Sequence, residues 1–190
     1  MAKKGLLVIM SGPSGVGKGT VIKELLARNL NFRFSISATT RMPRVGEVEG
    51  QNYYFMSEER FKDMIEADKL LEYARYSGNY YGTPAEPIEK LTAEGCHVLL
   101  DIDVAGAGQV KSRAKDAVMI FIVPPCMEEI ENRLRGRNTE SPEDIRKRLK
   151  IAEREMTFKN KYDYVIENDI LKNTVEAVER VIFSEINKRK

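Results

Sequence analysis

One stretch near the start of the chain, Gly12-Pro13-Ser14-Gly15-Val16-Gly17-Lys18-Gly19-Thr20, restricts the fold more than any other. It contains the spacing G-x-x-x-x-G-K, follows the short apolar run Leu6–Met10 and leads into Lys18–Arg28, where Val21, Ile22, Leu25 and Leu26 share one helical face. Strand, glycine-rich loop and amphipathic helix in that order make a backbone cup for phosphate. The glycines turn with positive φ so that successive N–H groups converge, the helix N-terminus adds partial positive charge, and the lysine reaches the outer phosphates. An ordinary turn would require neither the lysine nor the spacing. After Lys18 comes Gly19, where many such loops carry a magnesium-binding hydroxyl, and Thr20 follows one place later.

Further short apolar runs at His97–Asp101, Val118–Val123 and Tyr164–Ile166 read as buried strands, and helical patterns separate them. Pro84–Glu94 has prolines in its first turn and Gly95 just past its end, and the last helix carries Val175, Val178, Ile182 and Ile186 at helical spacing. Alternating strands and helices predict an α/β fold, a three-layer core around a parallel sheet whose ligands lie at the carboxyl ends of the strands. Asp101 and Asp103 fall at one such end, so a magnesium ion would be held through water, by Thr20, or by these carboxylates.

At 190 residues, with 42% hydrophobic and 32% charged residues, the chain is long enough for one domain with an inserted lobe and excludes disordered or fibrous classes. Lys plus Arg number 31 against 29 Asp plus Glu, a net charge of +2, so no global field calls for nucleic acid or an anionic membrane. The apolar runs are too short to span a bilayer, and Lys3-Lys4 leads into no signal segment, so a cytoplasmic protein is expected. Cys96 and Cys126 are expected to be buried free thiols. The single histidine, His97, reads as a strand residue, which leaves no material for a histidine triad or a multi-histidine metal site.

Two stretches interrupt the alternation. From about Phe34 to Gly82 the chain is rich in Tyr, Arg, Gly and Ser, with short strands expected near Phe34–Ser37 and Tyr53–Phe55 and a helix near Glu58–Ala67. Here Arg41 and Arg44, three apart around Pro43, suit the forked recognition of a second phosphate, with tyrosine hydroxyls completing the shell. From about Met127 to Phe158 the pattern is helix, polar break at Gly136–Glu140, then a helix opened by Ser141-Pro142, carrying Arg133, Arg135, Arg137, Arg146 and Arg148. Such a basic hairpin is a solvated face unless something nearby requires cations.

The loop GPSGVGKGT, the run SATTRMPRVGEVEGQNYYF, the segment SGNYYGT, the DID after a buried strand and RLRGRNTE together resemble the guanylate kinase family, in order and over nearly the whole chain. The resemblance implies transfer of the γ-phosphoryl group of ATP to GMP, and to dGMP, giving ADP and GDP in purine nucleotide metabolism, with magnesium accompanying ATP. It implies one domain over 1–190: a core of about 1–33, 84–126 and 159–190, a GMP-binding lobe of about 34–83 and a helical lid of about 127–158. By matching position, Gly12 to Thr20 with Arg133 and Asn168 would bind ATP, and Arg41, Arg44, Tyr53 and Tyr81 would clamp the GMP phosphate, with Glu47 in the same site. Ser37, Glu72, Thr83 and Asp103 would read guanine. Lys18, Arg41, Arg137 and Arg148 would carry catalysis, and Thr20 and Asp101 would face the metal. Monomer and homodimer both stay open.

The chemistry of these residue types agrees. Guanine presents N1–H and an exocyclic amine side by side, which an ionised Glu72 accepts together, whereas adenine offers a lone pair at N1. Hydroxyls of Ser37 and Thr83 can donate to O6. The acceptor phosphate, with a second pKa of about 6, is mostly deprotonated near neutrality and needs no general base. Three rival readings exist. Asp103-Val104-Ala105-Gly106 and Asn160-Lys161-Tyr162-Asp163 spell D-x-x-G and N-K-x-D as in GTP switches, but the second precedes a strand instead of ending one, and Gly19 removes the magnesium hydroxyl. A non-enzymatic guanylate-kinase-like binding module would lack parts of the ATP site, and a monophosphate kinase for another base would lack the guanine reader.

Overall fold

The computed structural model describes residues 4–28, 31–136 and 141–189. In chain order the elements are β1 (Leu7–Ser11), α1 (Lys18–Arg28), β2 (Phe32–Phe34), β3 (Ala38–Thr39), β4 (Tyr54–Phe55), α2 (Glu58–Glu66), β5 (Leu70–Tyr76), β6 (Asn79–Pro84) and α3 (Ala85–Ala93). Then come β7 (His97–Asp101), α4 (Val104–Arg113), β8 (Val118–Val123), α5 (Met127–Gly136), α6 (Pro142–Met156), a 3-10 turn (Lys159–Lys161), β9 (Tyr164–Glu167) and α7 (Leu171–Lys188).

Side chains alternate across each core strand, and because helices cover both faces, both sets are apolar. Val8 and Met10 of β1 join Leu99, Ile120 and Ile122 beneath α1 and α7, whose Val21, Leu25, Val175, Val178 and Ile182 are buried. Ile9 points the other way, with Val98, Leu100 and Met119, against Ile88 of α3 and Ala107 and Val110 of α4. The result is a five-stranded parallel sheet, β2-β7-β1-β8-β9, between two helical layers. Parallel pairing with helical crossovers brings the carboxyl ends of β1, β7 and β8 to one edge, where the phosphate loop begins.

The stretch after β2 folds on a second, four-stranded sheet, β4-β3-β6-β5, with its own small core of Ala38, Phe61 and Leu70. Phe61 stacks on Tyr80 at 5.3 Å between centroids, over bare Gly82. The sequence placed a strand at Phe34–Ser37 inside this lobe. The strand is instead β2, paired in parallel with β7 at the edge of the core sheet, because Phe32 is buried there against the major core. The hairpin β5–β6 and helix α4 were not anticipated. The hairpin turns at Ser77-Gly78, both with positive φ (47° and 82°), the conformation two-residue hairpin turns require.

α5 and α6 pack as an antiparallel pair around Ile130, Leu134, Ile145 and Ala152. Ser141 caps α6 by accepting from the Asp144 N–H, with Pro142 in the first turn. Arg137 lies outside the described residues. The thiols depart from expectation: Cys96 is half-buried and Cys126 is exposed, both free. Cys126 falls in the turn that delivers the chain from β8 into α5, where no layer covers it. Among the described residues no helix is long and apolar enough to cross a membrane.

Candidate active site

The backbone of the phosphate loop and its root is held by side chains that donate to carbonyls. At its root the Ser11 hydroxyl donates to the Ile102 carbonyl at 2.8 Å. Gly12 leaves the sheet at φ 150°, where a Cβ would sit 2.2 Å from the Ile122 carbonyl oxygen, so only glycine fits. Behind the loop, the Val16 carbonyl accepts from Asn168 Nδ2 (2.7 Å) and Arg133 Nη1 (2.8 Å). Arg133 also donates to the Asn168 carbonyl (3.0 Å) and pairs with Glu129 (2.7 Å). Arg133 and Asn168, expected as ATP contacts, therefore brace the loop's backbone in this structure. Lys18 Nζ donates to the Gly12 carbonyl at 2.7 Å and stands 3.9 Å from Asp101 Oδ1 at the end of β7. Gly15, Gly19, Pro13 and Thr20 lie along the same loop and first helical turn, with Thr20 exposed.

Asp101 also lines a second space. With Ser37, Tyr53, Glu72, Tyr81 and Asp103 it encloses a cavity of about 300 Å³ between the two sheets, so one carboxylate faces both the lysine of the loop and the cavity. Larger clefts of about 350, 410 and 520 Å³ lie elsewhere, and none of them is lined by a residue of the phosphate loop or by Asp101. Glu72 is buried, and burial pushes its carboxyl up from the ordinary range, opposed by Thr83 and reinforced by nearby Asp103. Its placement is local. A register shift between Leu70 and Glu72 sets Glu72 directly across from Thr83, and the Thr83 hydroxyl donates to Glu72 Oε1 at 2.6 Å. Thr83 thus orients the carboxylate here, where the sequence reading had it donating to the base. On the other side α4 passes so close that a Cβ on Gly106 would lie 3.0 Å from Glu72 Oε2. The glycine of the D-x-x-G string makes room for this carboxylate. Asp103 caps α4, accepting from the Gly106 N–H at 2.7 Å.

On the lobe, Arg41 forms a two-pronged pair with Glu47 (2.8 and 3.0 Å) and donates to the Met42 carbonyl. Glu47 also accepts from the Arg44 backbone N–H at 2.7 Å, and these bonds hold its carboxyl below the usual range. The Arg41 guanidinium sits 5.5 Å from the Tyr53 ring centroid, and Tyr53 meets Tyr81 edge to face at 6.2 Å. Arg41, Tyr53 and Tyr81 are therefore gathered at the cavity's rim, while the Arg44 side chain is exposed. From the helical hairpin, Arg148 Nη1 reaches 3.5 Å from Ser14 Oγ, which puts one basic side chain of that cluster over the phosphate loop.

The guanylate kinase family model matches residues 4–185. The guanylate kinase of Clostridium tetani is 50% identical over 96% of this chain and 88% of its own length, and that of Halalkalibacterium halodurans 46% over 98% and 92%. The crystal structure of guanylate kinase from Anaplasma phagocytophilum superimposes with a TM-score of 0.75 at 35% identity, covering 97% of this chain and 88% of that one. The chain belongs to the guanylate kinase family.

For a guanylate kinase family member the oxygen donors present suit magnesium in one way only. No group of three or more His, Cys, Asp or Glu gathers to cage a metal among the described residues. Asp101 and the Thr20 hydroxyl are hard donors of the kind that hold magnesium together with substrate phosphates and water, so the set fits an ion that arrives with its nucleotide. The N-K-x-D string is a 3-10 turn running into β9, and its Asp163 accepts from the Met119 N–H at 2.9 Å, a structural contact. Sequence reasoning missed the part of Gly106, which clears space for the Glu72 carboxylate. Its one signal was its place in the D-x-x-G string.

Proposed function

We infer that this protein transfers the γ-phosphoryl group of ATP to GMP, and to dGMP, yielding ADP and GDP. The observation that carries the reading is the position of Asp101: it faces Lys18 of the phosphate loop at 3.9 Å and also lines the cavity in which Glu72 is buried. A triphosphate cup and a purine pocket then share one wall. In this reading Glu72, ionised and aimed by Thr83, accepts the guanine N1–H and amine, while Ser37 serves O6 and Asp103 lies at the base's edge. Arg41, Arg44, Tyr53 and Tyr81 hold the GMP phosphate, and Glu47 fixes the Arg41 fork toward it.

The acceptor oxygen needs no base, so catalysis is alignment and charge neutralisation. Gly12 to Thr20 offer N–H groups to the ATP phosphates, and Arg133 and Asn168 keep that backbone in shape from behind. Lys18 leaves the Gly12 carbonyl for an outer phosphate oxygen. Arg41 meets the acceptor from its side, and Arg148 approaches from the helical hairpin, which acts as a lid that excludes water; Arg137 is assigned to the same task by resemblance alone. Magnesium, held by phosphates, water, Thr20 and Asp101, would supply further neutralisation of the outer phosphates.

The test follows ADP formation with ATP, magnesium and GMP, AMP, CMP or UMP in turn. Robust turnover with GMP alone is the expected result. Equal turnover with AMP would remove the guanine reader, and no turnover with any acceptor would favour the non-enzymatic binding module.

A further inference from the structure

Two groups where the helical hairpin meets the phosphate loop have no part in the mechanism above. Glu155, in the last turn of α6, brings Oε2 to 3.3 Å from the backbone nitrogen of Ser14, so a carboxylate occupies an N–H that the loop would offer to phosphate. The side chain is half-buried; burial pushes its carboxyl up, while the Ser14 N–H and Lys18 favour its charged form. Arg148, two turns earlier on the same face of α6, reaches the hydroxyl of that same Ser14. One helix therefore places both an anion and a cation on one residue of the loop.

The second group is Tyr162. Its ring packs on Phe121 at 4.8 Å, and its hydroxyl is covered, near the Ser11 hydroxyl but without a hydrogen bond of normal geometry among the described residues. Burial pushes the phenol up to about 12, opposed by the neighbouring Ser11 hydroxyl and reinforced by the charges of Asp103 and Glu155, so the proton stays on and is available to donate. Buried hydroxyls are nearly always bonded, and a covered donor that lacks a well-formed bond and feels the Glu155 charge points to a state in which the two meet.

We propose that Glu155 is a resident anion of the phosphate loop, displaced by the ATP triphosphate, and that the Tyr162 hydroxyl receives the displaced carboxylate. The proposal rests on reading residues 12–20 as the ATP cradle. A phosphate oxygen and a carboxylate oxygen cannot share the Ser14 N–H, so arrival of the nucleotide expels Glu155. Because Glu155 rides on α6, loop occupancy and hairpin position become one coupled equilibrium: the empty loop tethers the hairpin through Glu155, and the filled loop releases that tether while keeping Arg148 at Ser14.

The probe is the β,γ-imido analogue of ATP with magnesium, titrated calorimetrically without GMP into the full chain. Glu155→Gln should bind it roughly fivefold or more tightly, within the usual range of coupling between sites. The amide resonance of Ser14 should shift in the same variant without ligand, and GMP affinity should not change. Glu153→Gln removes an equal charge from an exposed position on the same helix and should leave binding as in the wild type. Tyr162→Phe should weaken binding several-fold, and less so in the Glu155→Gln background, where the displaced group is neutral. Unchanged or weaker binding by Glu155→Gln, or an equal gain with Glu153→Gln, would overturn the displacement. An identical Tyr162→Phe effect in both backgrounds would overturn the receiving role. A wild type that does not bind the analogue would overturn this proposal together with the reading of the loop.

Discussion

The phosphate loop and the inserted lobe present their polar groups in opposite ways. In the proposed reading the loop meets phosphate mostly through backbone N–H groups, set by glycines and locked by Asn168 and Arg133 on the Val16 carbonyl. In the lobe they are side chains on short strands over a core of three buried residues, aimed by one another: Thr83 on Glu72, Glu47 on Arg41. A backbone site tolerates little change in the chain's path but is built once. A side-chain site depends on each partner separately, and its members can be removed one at a time.

That contrast can be broken at its strongest point first. Lys18→Met should lower kcat by at least about 10³, as loss of a cation at a phosphoryl-transfer centre does elsewhere, with a melting temperature close to the wild type. A large stability loss would mean the lysine is a structural part of the loop. Asn168→Ala, which removes a buried donor from behind the loop, should destabilise by about 1–3 kcal/mol and raise KM for ATP while leaving KM for GMP alone. A rise confined to GMP would erase the division between the two regions.

On the lobe side Glu47→Gln should raise KM for GMP about tenfold at unchanged KM for ATP, because the Arg41 fork loses its charged partner. Steady-state kinetics with each nucleotide varied in turn decides this. The smallest effect is on stability. A buried carboxyl whose folded value is raised contributes fully only below its unfolded value, and that contribution is lost as pH rises through the folded value. At pH 7 Glu72 is therefore a burden, and Glu72→Gln, which still accepts from Thr83, should melt slightly above the wild type. The gain should vanish below about pH 4.5, the ordinary glutamate value. A variant that melts lower at pH 7 would show that the charge is already compensated.

The same contrast explains what was legible in the sequence. Gly12 to Lys18 could be read locally, because spacing and backbone geometry suffice, and so could the core strands, whose apolar runs are buried on both faces. The lobe was readable as residue types without geometry. That Glu72 faces Thr83 depends on a register shift in an unforeseen hairpin, and that Gly106 clears space for it depends on a helix from another part of the chain. The strand expected at Phe34–Ser37 is instead Phe32–Phe34, because so short a strand carries no period and only burial of Phe32 against the main core fixes it. Arg133 was legible as an ATP contact by resemblance, but its bond to the Val16 carbonyl behind the loop depends on how α5 packs there.

The decisive quantity is the ratio of kcat/KM for GMP to that for AMP, measured for the wild type and for Glu72→Gln under the same ATP and magnesium. A carboxylate that reads two adjacent donors gives a wild-type ratio of at least about 10³, and the variant should lose about 10² or more of it. A ratio that survives the substitution would contradict the account, since the buried carboxylate between Thr83 and Gly106 would then have no part in choosing the acceptor.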